Sequence, residues 1–215
     1  MKKAILISIQ PYWVENILNG EKTIEIRKSM PKCDLPIDVY IYVTKSKPYL
    51  QIYPFNIRKN IYRLSDDNFN SLNGKVVAKF TLNKVEWVAC EDLGYRKIFF
   101  TETREDFSYV ANMTDDQLSA YFSNKQLKNG NVVGYAWHID NLQIFDESME
   151  LNQFEKYYDE PDDLKPCCNG KHCIHKIYDW CENQICCEID YDGTDCPYLK
   201  VNKAPQSWQY VYVVE

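Results

Sequence analysis

A helix bracketed by Pro11 and Gly20, running directly into the alternating stretch Thr23–Arg27, constrains this chain more than any other feature. Pro11 suits a first helical turn, where its missing N–H costs nothing. Val14, Ile17 and Leu18 share one face, and Gly20 stands where a left-handed cap is expected. From Thr23 the period changes to two. Ile24 and Ile26 point one way, and Thr23, Glu25 and Arg27 the other. Ala4–Ser8 reads as a strand before the helix. Asp38–Thr44 alternates again, with Val39, Ile41 and Val43 opposite Tyr40 and Tyr42.

Residues 45–73 show no clear period, contain Pro48 and Pro54, and read as an excursion from the sheet. Lys75–Ala89 reads as a long strand bent near Asn83. Thr114 and Gln117 form a capping box that starts a helix carrying Leu118, Tyr121 and Phe122. Val132–Phe145 is a second long strand, and Trp208–Val214 the last. Five or six strands with two to four helices in one domain spanning 1–215 predict an α+β fold built on a small β-barrel. Residues 159–206 break the pattern. They hold seven of the nine cysteines and two of the three histidines, few aliphatic residues, and read as an insertion before the last strand.

The apolar run Ala4–Ile7 is too short for a signal-peptide core or a membrane span, so the expected location is the cytoplasm, with no membrane partner. Cysteines in that compartment are thiols or metal ligands. The net charge of −6 argues weakly against nucleic acid, but its distribution is uneven. Residues 1–60 carry ten Lys/Arg against five Asp/Glu, a net +5 that leaves −11 for the remainder. Residues 146–163 alone hold eight acidic side chains. Phosphate binding follows local potential, which favours the N-terminal part.

Glu21, Lys22, Glu25 and Arg27 crowd the turn after the helix. Glu25 and Arg27 project from one strand face about 7 Å apart. A Lys, a carboxylate and a guanidinium on one short scaffold can bind phosphate, hydrogen-bond a base edge or move a proton. The plainer alternative is a solvated strand with charge pairing, and spacing alone favours it.

Ser8-Ile9 with Pro11, followed by Gly20-Glu21-Lys22-Thr23-Ile24-Glu25-Ile26-Arg27, resembles the Gly-x-Lys-Thr-x-Glu-x-Arg signature of ASCH domains, members of the PUA-like superfamily. Gly134-Tyr135-Ala136-Trp137-His138-Ile139-Asp140-Asn141-Leu142 and Pro205-Gln206-Ser207-Trp208-Gln209-Tyr210-Val211 are similar to a phage and prophage branch of that family. The resemblance implies a PUA-like barrel whose cleft beside the first helix is walled by the signature residues. It also implies RNA or a modified nucleoside as ligand. Some members are enzymes, either amidohydrolases on acetylcytidine or ribonucleases. In such an enzyme Lys22, neutral through burial, would activate water and Glu25 would move the proton. Glu25 occupies the position of the amidohydrolase branch's catalytic Thr, and Thr23 lies two residues before it.

The binding set expected on this basis is Lys22, Thr23, Glu25 and Arg27, with Tyr12 and Trp208 as stacking rings, each worth about 1–3 kcal/mol to an unpaired base. Core packing is the commoner fate of Trp13 and Trp137, and a satisfied, half-buried histidine that of His138. The Cys/His-rich segment suggests a structural Zn2+ site. Cys168, Cys173, Cys187 and Cys196 give a workable ligand set, His175 could replace one of them, and a cluster of free thiols is the alternative. Three functions remain open: an RNA- or nucleoside-binding module, a hydrolase using Lys22 and Glu25 on the same ligands, and a phage scaffold whose acidic or cysteine-rich segment contacts a host protein.

Overall fold

The computed structural model describes residues 2–56, 59–103, 107–123, 131–156 and 200–213. In chain order the strands and helices are β1 (Lys2–Ile9), α1 (Pro11–Leu18), β2 (Ile24–Arg27), β3 (Ile37–Val43), β4 (Tyr49–Asn56) and β5 (Lys59–Ser65). There follow β6 (Val76–Leu82), β7 (Val85–Asp92), β8 (Lys97–Phe100), α2 (Phe107–Ala111), α3 (Asp115–Tyr121), β9 (Asn131–His138), β10 (Asp140–Met149), β11 (Phe154–Lys156) and β12 (Trp208–Val213). Among the described residues these strands form a six-stranded sheet, β10-β6-β3-β1-β12-β11, a four-stranded sheet, β2-β9-β7-β8, and the separate pair β4-β5. The expected α+β class, a curled sheet decorated by short helices, is what the structure has.

β1 is the axis of the molecule. Ala4 through Ile9 are all buried, because both faces of the strand are covered. Ile5, Ile7 and Ile9 pack with Val14 and Ile17 of α1 and with Val39, Ile41 and Phe80. Ala4 and Leu6 face the other way, against Tyr40, Tyr42, Phe154, Val211 and Val213. Each such Ile or Leu, fully withdrawn from water, contributes about 1.5–3 kcal/mol. β1 runs parallel to β3, with Ile5 opposite Val39 and Ile9 opposite Val43. A parallel neighbour needs a crossover, and α1 with β2 supplies it.

Each of the two long strands expected from the sequence passes from one large sheet to the other. The first bends between Leu82 and Val85, at the expected Asn83, and the second at Ile139. The bends sit side by side: Asn83 Nδ2 donates to Asp140 Oδ2 at 3.2 Å, and His138 N–H to the Lys84 carbonyl at 3.1 Å. This shared ribbon curls the two sheets around the apolar centre. The capping box is present in full at α3: Gln117 N–H reaches Thr114 Oγ1 at 3.2 Å, and Thr114 N–H reaches Gln117 Oε1 at 2.9 Å.

Within 45–73 the chain leaves both large sheets and pairs with itself as β4-β5. Its inner face joins the core through Leu50 and Tyr62. The chain leaves the described region at Lys156 and returns at Lys200. These ends are neighbours, since Glu155 and Lys200 form a bridge and their side chains an ion pair of 3.0 Å. The cysteine-rich segment between them therefore departs from and rejoins one place on the sheet edge.

Candidate ligand-binding cleft

The site begins with a turn. Gly20 adopts φ +81, which a residue with a Cβ reaches only at a cost. The N–H groups of Glu21 and Lys22 both fold back onto the Asn16 carbonyl, at 2.8 and 3.1 Å. Thr23 then locks the chain on two sides: its N–H donates to the Val110 carbonyl, and its own carbonyl accepts from Ile139 N–H. β2 follows with all four residues buried. Ile24 and Ile26 enter a second core made by α2, α3 and β9, as the period-two pattern requires.

Glu25 and Arg27 take the opposite face and are joined there by Lys22. The solvated-corner alternative is excluded for these three, which are only 2–7 % exposed. Arg27 Nη2 lies 3.0 Å from Glu25 Oε1 and donates to the Ser8 carbonyl at 2.9 Å. Its Nη1 reaches Ser207 Oγ at 3.4 Å. Lys22 Nζ is 3.8 Å from Glu25 Oε2 and donates to the Ala111 carbonyl, at the end of α2, at 2.6 Å. The Trp13 ring centroid stands 5.1 Å from the same nitrogen. Burial, the dominant effect, pushes the Lys22 pKa below its ordinary 10.5; the Glu25 charge opposes that shift and the Arg27 charge adds to it.

These groups wall a cavity of about 800 Å³ between the end of β1, β2, α3 and the residues leading into β12. Lys22, Arg27 and Lys28 face one carboxylate, Glu25, so the lining is net positive. Trp13 and Tyr121 supply aromatic surface, and Gln10, Gln117 and Gln206 supply amides. The Tyr121 hydroxyl donates to the outward carbonyl of Ile26 at 3.2 Å, and Lys28 Nζ sits 5.0 Å from its ring centroid. Burial raises the Tyr121 pKa, Arg27 opposes that, and Glu25 reinforces it. Two polar groups of the wall, the Ser8 hydroxyl and Arg27 Nε, have no hydrogen-bond partner among the described residues. Such groups cost about 1–3 kcal/mol each, which a closed core avoids.

Of the residues expected from the sequence, Lys22, Glu25 and Arg27 come together in the cleft. Thr23 is exposed and does not line it; only its backbone serves the site. Tyr12 is 43 % exposed, outside the lining, and packs edge-on against Trp13 at 4.7 Å. Trp13 is the ring that reaches the cavity. Trp208 stands behind the rim, donating from Nε1 to Ser29 Oγ at 3.1 Å and tilted against the wholly buried Trp137 at 5.5 Å. Ser8, Tyr121 and Ser207 were missed. Ser8 and Ser207 lie inside segments that carry the family resemblance, which was the available signal. Tyr121 offered none beyond its place on an apolar helix face.

His138 is a half-buried partner of Glu86, with Nε2 and Oε2 2.5 Å apart. Cys168, Cys173, Cys187, Cys196 and His175 lie outside the described residues. Among the described residues no group of three or more His, Cys, Asp or Glu is placed to hold a metal ion. Nor is any described helix long and apolar enough to cross a membrane.

No protein-family model and no curated protein matches the chain. Among solved structures it is similar to ASCH from Zymomonas mobilis, at 15% identity over 97% of this chain and 87% of that one, with a TM-score of 0.46. Two point mutants of the same protein give 18% identity over 71% and 78% of the chains with a TM-score of 0.42, and 14% over 97% and 88% with 0.46. These are distant likenesses, and no ligand or reaction is carried over from them.

Proposed function

We propose that this cleft binds single-stranded nucleic acid, with one unpaired or modified base held inside it. The observation that carries this reading is the buried Lys22–Glu25–Arg27 cluster on the wall of a cavity of about 800 Å³ that also presents Trp13 and Tyr121. The volume falls in the range of small-molecule sites, about 300–1,000 Å³. Aromatic faces accept a base by stacking, the three glutamines can address its edge, and Lys28 at the rim suits a phosphate. RNA is the favoured form because the signature resembles that of ASCH domains.

The test is fluorescence anisotropy with a labelled single-stranded RNA at several salt concentrations. Binding should weaken as salt rises. Arg27→Ala should weaken it at least about tenfold, the order expected when a charged group loses its partners. Protein that binds neither RNA, DNA nor free nucleosides at low salt would refute the reading.

One observation favours hydrolysis as a second reading: burial lowers the Lys22 pKa, which raises the neutral, proton-accepting fraction of the amine. On acetylcytidine, Lys22 would then take a proton from water as the water oxygen bonds to the acetyl carbon, and Glu25 would relay that proton from Lys22 to the departing nitrogen as the C–N bond breaks. Turnover of acetylcytidine or RNA that survives Lys22→Ala would exclude that role.

A further inference from the structure

We infer that the outward face of the β4-β5 hairpin is a second nucleic-acid contact, a basic and aromatic strip that carries the sugar-phosphate strand leaving the cleft. The inference rests on the cleft taking an unpaired base, and it adds where the rest of the strand runs.

Charge is the first observation. Residues 39–65 contain Lys45, Lys47, Arg58, Lys59 and Arg63 and no Asp or Glu, in a chain of net charge −6. Lys45, Lys47 and Arg63 are exposed, and among the described residues none forms a close ion pair with a carboxylate, although Arg63 stands near Glu15 and Glu21 and feels the Glu15 charge. The Lys45 stem lies across Gly74, where a Cβ would come within 2.9 Å of it. Lys47 Nζ sits 5.9 Å from the Tyr49 ring centroid.

The pleat is the second. Leu50 and Tyr62 are buried in the core, so Tyr49, Gln51 and Tyr53, opposite Ser65, Arg63 and Ile61, share the other face. Tyr53 is 43 % exposed, and its hydroxyl is held by Gln51 Oε1 at 2.8 Å. Rings between cations are what a single strand uses, since each base has a stacking face and each linkage a charge. Gln51 Nε2 donates to the carbonyls of Asp67 at 2.7 Å and Phe69 at 3.0 Å, so the loop that carries Asp66 and Asp67 borders this face at Gln51 and leaves Lys45, Lys47 and Tyr53 as its basic and aromatic part.

Continuity with the cleft is the third. Thr44 lines the cavity, and Tyr49 follows five residues later, at most about 18 Å along the chain. That connection is fixed in place. Asn73 Nδ2 donates to the carbonyls of Ser46 at 2.7 Å and Pro48 at 3.3 Å, and Asn73 Oδ1 accepts from Leu50 N–H at 2.8 Å. On the far edge of the hairpin, Asn19 of the loop after α1 holds both the N–H and the carbonyl of Tyr62. The hairpin is thus tethered on both sides to the elements that carry the cleft wall.

The experiment compares a trinucleotide with an oligonucleotide of about twelve residues, each as RNA and as DNA, by anisotropy against salt. The proteins are the parent, the triple variant Lys45→Glu, Lys47→Glu, Arg63→Glu, the single variant Tyr53→Ala, and Arg27→Ala. All the hairpin substitutions are on exposed side chains, and the triple Gln version serves if the Glu version melts early. The triple variant should bind the longer RNA and DNA at least about tenfold more weakly, with the salt slope reduced by about two, and the trinucleotide as the parent does. Tyr53→Ala should cost about fivefold or more on the longer probe. Hairpin variants that bind the longer probe like the parent, while Arg27→Ala abolishes binding, would overturn the strip and leave the cleft reading intact. Hairpin variants that weaken the longer probe while Arg27→Ala changes nothing would refute the cleft reading and with it the path of the strand from cleft to hairpin, leaving the hairpin as a nucleic-acid contact on its own. Polyglutamate of equal length competing as well as RNA would overturn the strip as a nucleic-acid contact.

Discussion

Lys22 Nζ is held at 2.6 Å by the carbonyl of Ala111, a residue 89 positions further along the chain. That bond turns the most water-seeking of side chains inward. It also satisfies a carbonyl that the short helix α2 leaves open at its C-terminus. The cleft wall and the helix that covers it are therefore stabilised together.

The charge of Lys22 is held against burial, and pH reveals the cost. Its folded pKa lies below 10.5. Between the two values the unfolded chain binds more protons than the folded one, so the contribution of Lys22 to stability rises with pH through that window and is lowest below it. Lys22→Met keeps the length and removes the titration. The stability of the parent relative to this variant should increase as pH is raised towards 10.5, measured by urea unfolding in parallel buffers. A difference constant with pH would show that Lys22 does not titrate in a buried setting.

Gly134 leaves room for the site from behind. A Cβ there would stand 2.5–2.6 Å from the Phe122 ring and 2.8 Å from the Arg27 carbonyl. The strand is irregular at this point, since the β7-β9 register shifts between Val88 and Ala89. Gly134→Ala should lower stability by about 1–3 kcal/mol, the usual cost of overpacking. It should also weaken RNA binding, because Arg27 shares the displaced backbone. Thermal melting and anisotropy on the same sample read both.

Asn19 acts as a strand partner made of one side chain. Its amide nitrogen donates to the Tyr62 carbonyl at 2.9 Å, and its oxygen accepts from Tyr62 N–H at 3.1 Å. Asn19→Ala removes both bonds from a partly buried edge, which should cost about 1–3 kcal/mol. Hydrogen exchange should speed up at residues 60–64 and stay unchanged in β1. Uniformly faster exchange would mean that the hairpin is not a separate unit.

Glu86 links the bend to the chain just after β8. It is 1 % exposed, and that desolvation alone would raise its pKa. The hydrogen bonds from His138 and Lys84, the Lys84 charge and the Thr103 N–H outweigh burial and hold the pKa below 4.5. A depressed carboxyl pKa stabilises the fold above the unfolded value, and that stabilisation is lost as pH falls through the folded value. The stability gap between the parent and Glu86→Gln should therefore shrink on acidification below 4.5, followed by urea unfolding.

What the sequence determined by itself are the features set by local chemistry. The helix from Pro11, the glycine cap, the capping box at Thr114 and Gln117 and the opposed faces of Ile24/Ile26 and Glu25/Arg27 each follow from residues a few positions apart. So does the bend at Asn83. Only the tertiary structure decided the rest. Residues 49–65 carry no legible strand period because what makes them a hairpin is the edge offered by Asn19 and the clamp of Asn73, both outside the segment. Thr23 and Tyr12 matched the expected residue types, yet they face away from the cavity. Ser8, Trp13, Tyr121 and Ser207 reach it because β1, α1, α3 and the approach to β12 converge there. Lys22 is buried for the same reason: burying a cation requires partners, and Ala111, Glu25 and Trp13 surround it only once α2 and β2 have packed.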